Sequence, residues 1–256
     1  MKEVRTPGGI VATVSGPAEG TAAVVLVHGA ADRSTSFGAV RANLADVRVT
    51  TYDRRGYGDS VGLDPAASLS DHARDLLEVI GARPSVVVAH SFGSHVAVLA
   101  AIASPGSVRA LGLWEPPVPW MDFWPPEPRR SLEAIASGED PGKIAERIYV
   151  AVSGRDAWNR LSEEAREERR REGVAFCADL ATELEAPYDW ADLDVPCVIG
   201  HGSRSWPYSQ EASHHIAVLI GQPEFVIEGA PHVAHVSDPE GFADFVRAAV
   251  GRSAPG

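Results

Sequence analysis

Only two cysteines, Cys177 and Cys197, occur in 256 residues. Their separation matches no metal-ligand spacing, and they make no disulfide framework, so a reducing, cytoplasmic setting is expected. No uninterrupted apolar stretch is long enough to span a bilayer. The opening residues, MKEVRTPGGIVATVSGP, lack the apolar core that a signal peptide needs. Basic residues are also in deficit. With 23 Lys and Arg against 35 Asp and Glu, the formal net charge is -12, which argues against a nucleic-acid partner and against an anionic membrane surface. No H-E-x-x-H pair occurs, and His214-His215 reads as solvated, so no metal is expected. "GYGDSVG" lacks the third glycine of a dinucleotide fingerprint, so no cofactor is expected. The expected partner is a small-molecule substrate, and the sequence carries no signature of oligomeric state.

What is present is ordinary globular composition, 45% hydrophobic and 23% charged, at a length that suits one α/β domain with an insertion. Val4 to Ser15 alternates around Pro7-Gly8-Gly9, a short antiparallel hairpin at a sheet edge. Ala23 to Val27 and Val47 to Tyr52 read as buried strands, with helical spacing over Ser36 to Leu44 between them. Leu69 to Ile80 is amphipathic, with Leu69, Ala73, Leu76, Leu77 and Ile80 on one face. Val108 to Trp114 is a further strand. Strands alternating with helices predict parallel βαβ units with helices on both faces. The rhythm breaks at Glu115-Pro116-Pro117. Pro125-Pro126 and Pro128 mark a loop, while Ile144 to Val152 and Ser162 to Leu184 read as helices. The pattern then resumes with a strand at Val195 to Gly200, a helix at Gln210 to Leu219, a strand at Glu224 to Ile227 and a helix at Pro239 to Val250. Residues 116–190 therefore read as a helical cap inserted into a core of residues 1–115 and 191–256. The insertion leaves a strand's carboxyl end, the ligand side of an open α/β sheet.

Inside this pattern, "VVVAHSFGSHVAVLAA" passes from a buried strand to a packed helix within five residues. Ser91 at the join would stand beside the first unpaired amides of a helix and the positive end of its dipole. Gly93 would let a second backbone approach closely. A serine in that place is either a helix cap or a nucleophile.

The chain resembles the α/β-hydrolase family over essentially its full length. Four stretches carry the resemblance, in order: His28-Gly29-Ala30 after a central strand, "YDRRGYGDS" from Tyr52 to Ser60, the elbow from Ala89 to Gly93, and "GAPHVAHVSDPEGFADFV" near the C-terminus. The first position of the elbow is Ala89 where the family has glycine. The resemblance implies a mostly parallel sheet with flanking helices, Ser91 as nucleophile and His232 as its base, with His235 the competitor. It also implies an oxyanion hole from the amides of Ala30 and Phe92. Asp53, His72 and Asp75 are given structural roles. The chain departs from the family at one place. Where most members carry the triad's aspartate, the stretch is "GHGSRSWPYSQ", with Ser205 in the aligned position and no acid from Cys197 to Gln210. By topology the substitute is Glu115, at the end of the preceding strand. Some haloalkane dehalogenases of this fold carry a glutamate there, but with an aspartate nucleophile, and Ser91 excludes their chemistry.

The expected activity is a cofactor-independent serine hydrolase acting on an ester, lactone or thioester. The alternatives on this scaffold are a binding protein, a cyclase or lyase, and a C–C hydrolase. Trp114, Trp120, Trp124 and Trp206 are the candidate pocket residues, with Phe123, Trp158 and Trp190 nearby in the chain. Any one of them alone reads as core packing, while together they point to an apolar acyl or alcohol group, aliphatic or aromatic.

Overall fold

The computed structural model describes residues 1–17, 22–182 and 188–253. Its strands are β1 (Lys2–Arg5), β2 (Val11–Ser15), β3 (Ala23–Val27), β4 (Arg48–Tyr52), β5 (Ser85–His90), β6 (Val108–Trp114), β7 (Cys197–Gly202) and β8 (Glu224–Ile227). They form one sheet in the order β1-β2-β4-β3-β5-β6-β7-β8. The hairpin β1–β2 is antiparallel at one edge, and every pairing from β4 to β8 is parallel.

The central strands are buried on both faces, and alternate residues feed two separate cores. The α-helices are α1 (Gly38–Ala42), α2 (Leu69–Ile80), α3 (Gly93–Ala103), α4 (Glu127–Ala136), α5 (Pro141–Ser153), α6 (Arg155–Arg160), α7 (Glu163–Arg171), α8 (Gly173–Thr182), α9 (Pro207–Leu219), α10 (Ala234–Ser237) and α11 (Pro239–Arg252). Val25, Val27, Val87, Ala89, Leu111 and Leu113 meet α2, α3 and α9. Val24, Leu26, Val86, Val88, Ala110 and Trp114 meet α1 and α11. The amphipathic helix α2 is set by a capping box, in which Ser68 Oγ accepts from Asp71 N–H and the Asp71 carboxylate accepts from Ser68 N–H.

Between β6 and β7 the described residues hold five α-helices, a 3₁₀ turn (Trp190–Asp192) and no strand. Two expectations change here. The Pro125–Pro128 loop gives way to α4, because Pro128 falls in the helix's first turn, where a missing N–H costs nothing. The single helix from Ser162 is two, α7 and α8, parted at Glu172 just before Gly173. A Cβ at Gly173 would lie 2.3 Å from Pro141 O, so the two segments bend around the start of α5. Residues 183 and 184 of that expected helix lie outside the described residues. The helix expected from Ser36 starts instead as a 3₁₀ turn (Ser34–Phe37). There Ser36 Oγ donates to the Arg33 carbonyl, a local bond that competes with the α-helical ladder. Among the described residues, no helix is long and apolar enough to cross a membrane.

Trp114 is the clearest correction. Its ring is fully buried between Phe242 and Phe245 of α11, at centroid distances of 5.3 and 5.2 Å. It is core, not a pocket wall. The ring lies over Gly200 of the neighbouring strand, where a Cβ would stand 2.6 Å from Trp114 Cε3 and 2.7 Å from Phe245 Cε2. Gly200→Ala is therefore expected to lower the unfolding free energy by about 1–3 kcal/mol, through overpacking of this core. Denaturant titration checks it, and an unchanged midpoint would show that the rings can move aside.

Candidate active site

β5 ends at His90, and α3 begins three residues later. Ser91 between them has φ +52°, a left-handed backbone that side-chain-bearing residues rarely adopt. Its N–H donates to Trp114 O at 2.8 Å. Gly93 accounts for the tightness of the turn. A Cβ there would lie 2.8 Å from His28 O and 2.9 Å from Val27 O, so α3 can start against the end of β3 only without a side chain. Ser91 is half-buried.

His232 follows β8 on a loop suspended from two side chains. Its carbonyl accepts from Trp114 Nε1 at 2.9 Å and from His90 Nε2 at 3.2 Å. Its Nδ1 lies 2.6 Å from Glu115 Oε2. A carboxylate on that nitrogen fixes the proton on Nδ1 and leaves Nε2 as an acceptor. Among the described residues, Ser91 Oγ and His232 are not joined by a hydrogen bond. A looser contact is common before substrate tightens such a site.

Glu115 stands just past β6 with φ +48°. Its carboxyl is fully buried and surrounded by donors. Gly202 N–H donates to Oε1 at 3.0 Å, Ser205 Oγ donates to the same oxygen, and His232 takes Oε2. Burial alone would raise its pKa, but His232 and these donors together hold it below the usual carboxylate value. Ser205, in the position where the family's acid is expected, thus supports Glu115 from the side.

His235, the competing histidine, is turned the other way. Its Nε2 lies 3.1 Å from Asp32 Oδ2, and its ring packs on Phe37 and Phe242. Asp32, His90 and His235 offer ligand atoms within 4.8 Å of one another, the one such metal-sized group among the described residues. Two of their nitrogens are already in hydrogen bonds, His235 Nε2 with Asp32 and His90 Nε2 with His232 O. The cluster ties the elbow to the His232 loop.

On the other side of Ser91 lies the turn His28-Gly29-Ala30. His28 Nδ1 donates to Gly29 O at 2.8 Å, and His28 Nε2 accepts from Arg54 N–H at 2.9 Å. Asp53 orders its loop by accepting from the amides of Ser34 and Asp59. His72 and Asp75 are engaged by Asp179 and Arg55. Trp206 stands 5.1 Å from the His232 ring and stacks on Tyr208, which meets Trp124 at 4.8 Å. Trp120 lies against His95 at 5.6 Å. These three tryptophans are half-buried, whereas Trp158 is buried among the inserted helices beside Tyr149. Tyr208, two residues past Trp206, was legible from its position. Arg54 and Asp179 were not, since 125 residues separate them.

A sequence profile of the alpha/beta hydrolase family matches residues 24–245. The chain is 24% identical over 254 residues to the sn-1-specific diacylglycerol lipase of Mus musculus, across 88% of this chain and 79% of that protein. Among solved structures, the enol-lactonase from Burkholderia xenovorans matches with a TM-score of 0.77 at 14% identity, covering 98% of this chain and 100% of that one. A thermophilic esterase from Thermogutta terrifontis matches with a TM-score of 0.73 at 24% identity, over 99% of both chains. At such identities these two structures speak for the fold alone.

The buried histidines make the site sensitive to acid. Burial pushes His28, His72, His90 and His95 below the ordinary value of 6.5, with His28 and His95 brought down to about 4. The unfolded chain takes up these protons near pH 6.5 while the folded chain does not. Their stabilisation is therefore complete above that pH and is lost as pH falls toward 4. Glu172, raised by burial, acts in the opposite sense, but it is one group against four. The unfolding free energy measured by denaturant titration should fall steadily from pH 7 to pH 4.5. A flat profile over that range would refute the assignment of these rings as neutral.

Proposed function

The chain is an enzyme of the α/β hydrolase family, and from that premise we propose that it is a serine hydrolase working through Ser91, His232 and Glu115. The observation that carries the reading is the 2.6 Å contact between His232 Nδ1 and Glu115 Oε2, in a chain whose usual acid position holds Ser205. The chain order Ser–acid–His is the order of this family.

In the proposed reaction, Ser91 Oγ attacks the acyl carbon and passes its proton to His232 Nε2. Glu115 stabilises the imidazolium without taking the proton. The amides of Ala30 and Phe92 hold the tetrahedral oxyanion, each such donor being worth about 3 kcal/mol. Collapse expels the alcohol or thiol, which leaves with the proton from His232. A water then attacks the acyl-enzyme by the same route and frees the acid and Ser91. These steps need only protein groups and water.

The substrate we propose is a small ester, lactone or thioester with an apolar, aromatic group. Trp206 beside His232, with Tyr208 and Trp124 continuing from it, supports an apolar wall at the leaving-group side. Lipase, enol-lactonase and esterase are the activities named for the similar proteins, and all three cleave acyl–oxygen bonds. Residues 116–190 are read as a cap on the core of residues 1–115 and 191–256, with Trp120 and Trp124 contributed from its beginning.

Ser91→Ala should remain folded, lose labelling by a fluorophosphonate and lose hydrolysis of a nitrophenyl acyl ester. Turnover retained by folded Ser91→Ala would end the reading. Glu115→Gln should lower kcat by about 10²–10⁴ with KM little changed, as loss of an orienting carboxylate does elsewhere. An unchanged kcat would move the acid to another residue.

A further inference from the structure

The mechanism above leaves unused the most deeply buried cation among the described residues. Arg54 is fully buried, and each part of its guanidinium has a partner. Nε donates to His28 O at 3.2 Å and Nη2 donates to Gly29 O at 3.0 Å. Nη1 and Nη2 form a fork on the Asp179 carboxylate at 3.1 and 2.7 Å. The same carboxylate accepts from Tyr57 Oη at 2.6 Å and from His72 Nε2 at 2.9 Å. The guanidinium carbon lies over the rings of Tyr57 and Phe92, 4.8 and 4.6 Å from their centroids.

Stability alone gives little reason for this arrangement, because a buried ion pair is often no more stabilising than apolar side chains of its size. Its direction is more informative. Gly29 O and Ala30 N–H belong to one peptide plane, so whatever holds the oxygen also sets the tilt of the N–H. Two donors, Arg54 Nη2 and His28 Nδ1, occupy the two lone pairs of that oxygen. A charged donor on the carbonyl also polarises the peptide and strengthens its N–H as a donor. Phe92, whose ring lies 4.6 Å from the guanidinium carbon, carries the second proposed oxyanion donor on its N–H. One cation therefore touches the peptide that carries the Ala30 N–H and the side chain of Phe92. Its counter-ion, Asp179, comes from α8 of the inserted helices.

We propose that Arg54, anchored by Asp179 of α8, is a positioning residue that holds the Gly29–Ala30 peptide and Phe92 in the orientation that binds the oxyanion. The inserted helices thereby complete the oxyanion site in addition to walling the pocket. The proposal rests on the serine-hydrolase reading, and the test separates the two.

The variant to make is Arg54→Met with Asp179→Asn. It removes both charges together, so no uncompensated charge is left inside, and Asn can still accept from Tyr57 through its oxygen and donate to His72 Nε2 through its amide nitrogen. Labelling by fluorophosphonate is measured first on the unaltered protein, and no labelling there would overturn the hydrolase reading itself. With labelling established, the double variant should lower kcat for a nitrophenyl ester by about 10- to 100-fold, less than deletion of an oxyanion donor does elsewhere. KM should stay within about twofold and the pH profile of kcat should be unshifted, since His232 and Glu115 are untouched. The inhibition constant of a trifluoromethyl ketone, whose adduct carries an oxyanion, should rise by the factor that kcat/KM falls. A double variant with a lower melting temperature but unchanged kcat and ketone affinity would make Arg54 purely structural. Should that variant fail to fold, Arg54→Lys, which keeps a cation beside Asp179 but cannot reproduce the fork and the Gly29 O contact together, should give a smaller loss with the same split between kcat and KM. An unchanged kcat and ketone affinity there would overturn the proposal equally.

Discussion

A carboxylate without access to water has to be surrounded by donors, and the neighbourhood of Glu115 is built to that requirement. Its side chain is 0% exposed, yet both oxygens are occupied, one by Gly202 N–H and Ser205, the other by His232. Meeting that demand fixes much else. β7 must end beside β6 so that the Gly202 amide reaches across, and Glu115 N–H in turn donates to Gly200 O. The His232 loop must come back over the sheet, where Trp114 and His90 hold its carbonyl. Without these donors the buried charge would be neutralised by a proton, and the histidine would lose its orienting partner.

The parts of this arrangement that were legible in the sequence are those written in local patterns. The five-residue change from Val86–Val88 to the alanine-rich helix marked the elbow, because strand and helix chemistry differ in residue type as well as period. The carboxylate that meets His232 was legible from topology, since Glu115 follows the strand preceding the position that holds Ser205. Trp114 was misread for a related reason. Along β6 nearly every residue is buried, so alternation does not say which core a side chain enters, and Trp114 enters the one under α11. The proline cluster misled in the opposite direction, since Pro128 opens a helix there. The Arg54–Asp179 fork has no local signature. It joins a loop after β4 to α8 through residues whose types, alone, read as surface charge.

Beside apolar packing, charged contacts fasten the inserted helices to the core. Arg33 reaches Glu168 and Glu172, and the Gly58 amide donates to Glu172, all at partly buried positions. The deeper contact, through Arg54, ends beneath the turn that precedes Ala30. Fastening of this kind is directional where apolar packing is not. An apolar seam would let the helices slide, whereas a forked guanidinium accepts one seating.

The left-handed backbone at Ala31, Ser91 and Glu115 has a consequence for how such a chain can evolve. Each holds a Cβ in a conformation that costs roughly 1–2 kcal/mol and that glycine adopts freely. At Ser91, glycine would relieve the backbone while deleting the side chain proposed to do the chemistry, so stability and activity pull in opposite directions at that codon. At Glu115 it would also strand the buried donors of Gly202 and Ser205, so the strain there is retained for more than chemistry. A lineage released from the need for catalysis would find an easy stabilising step at Ser91, and that turn would be among the first things to relax.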